Sequence, residues 1–269
     1  MTDYPIKKAG EFKYIEVGNS DLSPLVLLHG LFGTASNFDK LIEHFESERK
    51  IIMPLLPIFE MPLRKLSLKG LVDYFSDFIS FMKLRDFHIL GNSLGGHLAV
   101  LYTLENQDLL ESLILTGSSG LYESAFGTSF PRREDYDYIK NKVKLTFYDP
   151  EITTKDMVDE VFEIVNDRSK GIRIIKTAKS AIRHNVEERL HEIHIPTLLV
   201  WGNNDTITPP FVGKKFNELI RGSVLEMVDK CGHAPMLEVP EVFNKVLEEF
   251  LISVERKGET ERIVDQSNR

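Results

Sequence analysis

The sequence predicts an α/β protein, a mainly parallel sheet covered by helices on both faces. Two patterns carry that reading. Short apolar runs of strand length alternate along the chain with stretches whose apolar residues recur at helical spacing. The alternation lapses once, between about residues 121 and 191, where only helical spacing is seen. With 269 residues and 42% hydrophobic content, the chain can bury a full core as one domain carrying one insertion.

Strands are expected near residues 11–17, 25–29, 50–53, 87–92, 111–116, 197–201 and 224–228. Leu68, Leu71, Val72, Phe75, Phe78, Ile79 and Met82 share one helical face, with Ser67 placed to cap the N-terminus. In the insertion, Met157, Val158, Val161, Phe162 and Val165 recur at helical spacing, as do Ile174, Ile175, Ala178 and Ile182. Residues 121–191 are therefore expected to form a helical cap over the functional edge of the sheet. Residues 1–120 and 192–254 form the core. Such a lid excludes water and shapes a pocket. Lys170, Arg173, Lys176, Lys179 and Arg183 make a basic stripe on the cap, expected as a solvated face, with a carboxylate-bearing substrate as the functional alternative. Val242, Phe243, Val246, Leu247, Phe250 and Leu251 form a closing helix after Pro240. Residues 255–269 read as a charged, frayed tail.

The motif that carries chemistry is Gly91-Asn92-Ser93-Leu94-Gly95, at the junction of an expected strand and helix. A side chain at the tip of so sharp a turn takes a strained backbone, and glycines on either side let strand and helix approach closely. Ser93 would then stand clear of the sheet above a helix N-terminus, with the Leu94 amide pointing at whatever it attacks. A serine hydroxyl is a poor nucleophile until a base takes its proton and an acid orients that base. Asp205 lies in the loop after the strand that ends Val200-Trp201-Gly202, and His233 lies in the turn Cys231-Gly232-His233-Ala234-Pro235. Asp229 is the fallback acid. The chain order Ser, Asp, His is that of α/β-hydrolases.

On these residues, and on Leu27-Leu28-His29-Gly30-Leu31-Phe32-Gly33, the chain resembles the α/β-hydrolase fold superfamily from about Phe12 to Val254. The resemblance implies a mostly parallel eight-stranded sheet, with the cap inserted after the sixth strand. It also implies a triad of Ser93, Asp205 and His233 and an oxyanion hole from the Leu31 and Leu94 amides, with Phe32 as second choice for the first of these. Phe32 and Asn92 are the candidate substrate-binding residues. The implied activity is hydrolysis of a small-molecule carboxylic ester through an acyl-enzyme on Ser93. The motifs also resemble meta-cleavage product hydrolases, which split carbon–carbon bonds. Those enzymes tend to carry Trp after the catalytic His, where this chain has Ala234. A small-ligand receptor on the same fold is the non-catalytic alternative. The segment Pro54 to Pro62 departs from the family's Asp-x-Pro-Gly-x-Gly loop, and its apolar character bears on access to the pocket.

Composition narrows the partners. A formal charge of −8 argues against nucleic acid, and no stretch is apolar enough for a bilayer span. The expected partner is a small-molecule substrate, with no metal and no cofactor. His184, His191 and His194 lack the spacing of a zinc site. The single cysteine, Cys231, fits a reducing compartment, and with no signal-peptide pattern the expected setting is cytoplasmic. Cys231 reads as a small buried hydrophobe and His29 and His97 as structural histidines.

Overall fold

The computed structural model describes residues 4–33, 35–122 and 132–267, with side chains up to residue 257. Residues 123–131 of the expected cap and the last two of the expected tail lie outside them. The strands are β1 Lys7–Ala9, β2 Phe12–Val17, β3 Leu25–Leu28, β4 Ile51–Pro54, β5 Phe87–Asn92, β6 Leu110–Thr116, β7 Thr197–Gly202 and β8 Val224–Val228. The α-helices are α1 Asp39–Phe45, α2 Leu68–Met82, α3 Leu94–Asn106, α4 Tyr136–Lys144, α5 Lys155–Asn166, α6 Arg168–Arg183, α7 Pro210–Leu219, α8 Pro235–Glu238 and α9 Pro240–Ser267. One sheet holds all eight strands in the order β1-β2-β4-β3-β5-β6-β7-β8. The pairs β1–β2 and β2–β4 are antiparallel and the remaining pairs parallel.

Successive strand residues face opposite sides, and both sides are dry. Leu27, Leu90, Ile114 and Leu198 pair across neighbouring strands and pack beneath α1 and α9. Val26, Leu28, Ile89, Leu115 and Trp201 pack on the other side with α2, α3 and α7. This double burial is why the central strands read as continuous apolar runs. Ser67 caps α2 by accepting the Gly70 amide at 3.1 Å, as its sequence position predicts. Ten residues of α3 are buried, covering all sides of the helix, which is how a helix enclosed by the sheet, α2 and the 187–192 segment must look.

Strand β1 escaped the pattern because it is three residues of mostly exposed chain with no apolar face to bury. The basic stripe is not a solvated face throughout. Arg173 Nη1 donates to the Ile58 and Met61 carbonyls, Lys176 Nζ to the Leu63 carbonyl, and the Lys170 ammonium sits over the Phe59 ring. These cations fasten α6 to the divergent 54–62 segment, whose Leu56 and Ile58 are core residues. Among the described residues no helix is long and apolar enough to cross a membrane.

The backbone beyond residue 255 is helical through Ser267 rather than frayed. Glu255 there meets the buried Arg49, whose Nη2 donates to it at 2.9 Å while Nη1 donates to the Ser23 carbonyl. His88 Nε2 lies 3.6 Å from the same carboxylate. His88 and Arg49 hold the Glu255 carboxyl below its ordinary value of 4.5, and burial depresses His88. Removing the acid leaves Arg49 buried and unpaired, so Glu255→Gln is expected to cost about 3 kcal/mol in urea unfolding at neutral pH. A carboxyl with a depressed folded value contributes fully above its unfolded value and loses that contribution as pH falls through the folded one. The gap between wild type and variant should therefore close below pH 4.5. Equal stability at neutral pH would show that the pair contributes nothing.

Candidate active site

All candidate residues sit where parallel strands end. Ser93 follows β5, the His29 loop follows β3, Asp205 follows β7 and His233 follows β8, so one edge of the sheet collects them. The turn after β5 is as tight as the sequence implies. A methyl group at Gly91 would come within 2.4 Å of the Gly95 carbonyl oxygen, and one at Gly95 within 2.1 Å of the Leu28 oxygen. With strand and helix in such contact, Ser93 is forced to φ 55°, ψ −119°. Its amide donates to the Thr116 carbonyl, and its carbonyl accepts from the amides of His97 and Ser119. Strain of this kind persists only where surroundings over-determine it.

Asp205 is buried and its carboxylate is filled by four donors. Oδ1 accepts from the Ile207 and Thr208 amides at 2.8 and 2.9 Å. Oδ2 accepts from the Thr208 hydroxyl at 2.9 Å and from His233 Nδ1 at 2.8 Å. The last bond fixes the tautomer that leaves Nε2 free to take a proton. Asp229, the fallback, instead accepts from the Asn203 side chain. Ser93 Oγ and His233 Nε2 have no hydrogen-bond partner among the described residues, and both residues line one cavity of about 1220 Å³.

Asn92 lines the cavity, but both hydrogens of its amide are spent. They go to the Thr116 and His233 carbonyls at 3.0 and 3.1 Å, which ties the histidine loop to the elbow. It is a brace, with no donor left for substrate. Phe32 and Leu31 line the cavity and are half-buried. Among the described residues the Leu31 and Leu94 amides have no acceptor, as expected for a helix N-terminus at Leu94. His29 is structural. It shares a 2.8 Å bond with the Gly30 carbonyl through Nδ1 and accepts the Leu56 amide at Nε2, and burial depresses it. His97 is also buried, bonded to the His184 carbonyl and depressed by burial to about 4. Cys231 is fully buried and burial pushes its thiol up, the setting of an inert structural cysteine.

Two residues that brace the candidate site escaped the sequence reading. Thr208 reaches the acid and also lies 3.3 Å from His233 Nδ1; its position three after an Asp is the spacing of an Asx-type turn, the one signal that pointed to it. Glu238, five residues after His233, accepts from the amides of Gly232, Ala234 and Tyr148. With the His233 amide donating to the Thr146 carbonyl, it staples the histidine turn to the segment that follows α4.

A sequence profile described as the alpha/beta hydrolase family matches residues 25–246. The chain belongs to that family. This alpha/beta hydrolase is an enzyme, and its relatives are named as hydrolases of several kinds. It is 27% identical over 294 residues to 2-hydroxy-6-oxononadienedioate/2-hydroxy-6-oxononatrienedioate hydrolase 1 of Pseudomonas putida, covering 93% of this chain and 99% of the relative. It is 28% identical over 248 residues to Lipase 1 of Psychrobacter immobilis, covering 84% and 75%. Among solved structures, an alpha/beta hydrolase enzyme from the metagenome of Mar Chica lagoon sediments, Morocco, superposes with a TM-score of 0.77 at 37% identity. The match covers 93% of this chain and 99% of that one.

Loss of the Thr208 hydroxyl removes a bond to a charged group, a contribution of about 1.5 kcal/mol and hence about tenfold in rate. Thr208→Val should lower kcat by that factor with KM unchanged and shift the pH–rate profile, and Thr208→Ser should restore both. An unaltered kcat in the valine variant would leave the hydroxyl without a role.

Proposed function

We propose that this alpha/beta hydrolase cleaves small-molecule carboxylic esters through an acyl-enzyme on Ser93. The observation that carries the proposal is the 2.8 Å bond from His233 to the four-donor carboxylate of Asp205, beside the strained elbow that presents Ser93. His233 Nε2 takes the hydroxyl proton as Oγ attacks the ester carbon, and Asp205 supports the imidazolium that forms. The developing oxyanion is received by the Leu31 and Leu94 amides, each worth about 3 to 4 kcal/mol in such a site. The tetrahedral intermediate collapses as His233 returns the proton to the departing alcohol. Water, deprotonated by the same imidazole, then attacks the acyl-enzyme and releases the acid. Helices α4 to α6 serve as the lid of this reaction, with residues 121–191 as one cap unit. A reducing, cytoplasmic setting suits a chain with one cysteine.

A carbon–carbon hydrolase is the second reading, favoured by the likeness to the Pseudomonas putida dienedioate hydrolase. Turnover of p-nitrophenyl butyrate against that of a 2-hydroxy-6-oxo-dienedioate separates the two, the ester being the better substrate under the first reading and the dienedioate under the second. Wild type should turn over p-nitrophenyl butyrate and be labelled by a fluorophosphonate, while Ser93→Ala loses both with unchanged circular dichroism. Most of the activity surviving in Ser93→Ala would remove the serine from the mechanism. An unlabelled wild type that binds an ester tightly without converting it would mark a receptor.

A further inference from the structure

The cavity over Ser93 extends far beyond the reacting atoms, and its outer wall is formed by α5 and α6. At about 1220 Å³ it exceeds the roughly 300 to 1,000 Å³ usual for a small-ligand site. Two features of that wall differ in character and lie side by side. Met157 and Val161 of α5 and Ile175 and Ile182 of α6 line the cavity together, and the two isoleucines are exposed although they are large and apolar. An apolar strip continuous with a nucleophile is a surface that an acyl chain would cover.

Beside the strip runs a row of acids. Asp156, Glu160 and Glu163 also line the cavity, and their spacing of four and then three residues puts them on one face of α5. None of the three forms a salt bridge among the described residues. The fourth acid of the lining, Asp159, differs. It is occupied by the Tyr136 hydroxyl at 2.6 Å and by the Lys155 ammonium. Lys179 is the one cationic side chain among the described residues lining the cavity. Of the other cations of α6, Arg173 and Lys176 are spent on carbonyls of the 54–62 segment and its continuation, and Lys170 sits over the Phe59 ring.

We propose that the α5–α6 wall selects an uncharged, extended aliphatic acyl group and rejects one that ends in a carboxylate. The strip holds the chain by burying its methylenes, and the acid row sets a repulsive field where a terminal carboxylate would lie. Desolvating that carboxylate against Met157 and Val161 adds to the penalty. This deepens the proposed ester hydrolysis and rests on it. It also sets the chain apart in chemistry from hydrolases named for dioate substrates, whose two carboxylates this wall would oppose.

The test compares p-nitrophenyl octanoate with mono-p-nitrophenyl suberate, equal in acyl length and differing in a terminal methyl or carboxylate. The full chain should favour octanoate by about tenfold or more in kcat/KM, with the gap narrowing as ionic strength rises. Asp156→Asn/Glu160→Gln/Glu163→Gln should bring the octanoate-to-suberate ratio towards one. Ile175→Asp should lower the octanoate-to-acetate ratio. Equal efficiency for the two esters, or a ratio untouched by the triple variant, overturns the proposal. Calorimetric binding of octanamide and suberamate reads the same selection without turnover. Octanamide bound tighter in a protein that hydrolyses neither ester would strike the hydrolase reading and leave the wall's selectivity standing. Suberamate bound equally well would strike the selectivity itself.

Discussion

The contact between the end of β5 and the start of α3 is the constraint from which the rest of the site follows. No Cβ fits at Gly91, against the Gly95 carbonyl, or at Gly95, against the Leu28 and His29 carbonyls at the end of β3, and the chain can pass through only with Ser93 in a conformation that side chains rarely adopt. The cost is of order 1 to 3 kcal/mol. It is offset by the buried helix α3 and by backbone bonds from Ser93 to Thr116, His97 and Ser119. In return the hydroxyl is lifted off the sheet, and the Leu94 amide beside it is left without an intrahelical acceptor.

His233 and Asp205 are held by a different principle. They lie on loops, which carry chemistry but need bracing. Asp205 is locked by amides of its own loop, and the His233 turn is held from three sides: by Asn92 from the elbow, by Glu238 from α8 and by Thr146 from the segment after α4. The last of these joins the His233 turn to the segment after α4, so that segment and the turn share a hydrogen-bonded seam. Arg173 and Lys176 make a second seam, between α6 and the segment after β4.

Much of this was legible in the chain because it depends on local pattern. The seven marked strands, the Ser67-capped helix and the helix after Pro240 are set by apolar spacing and by single capping or breaking residues. Ser93, Asp205 and His233 could be read because each stands at a strand end next to a turn signal. What escaped depends on contacts between distant segments. Nothing in the spacing of Lys170, Arg173 and Lys176 says that their partners are an aromatic ring and carbonyls some hundred residues earlier. Asn92 looked like a pocket residue because it sits beside the serine, and only the fold reveals that its amide is consumed by two carbonyls. Glu238 carried no local signal, since its role is to satisfy amides of a turn and of Tyr148, far away in sequence.

The central claim is that Ser93, His233 and the two loop amides converge on one carbonyl. A crystal structure of the fluorophosphonate-treated protein tests it most directly. The account predicts phosphorus bonded to Ser93 Oγ, a phosphonyl oxygen about 2.7 to 3.1 Å from both the Leu31 and Leu94 amides, and His233 Nε2 within hydrogen-bond reach of the adduct. An adduct on another side chain, or one on Ser93 whose oxygen turns away from both amides, would contradict it.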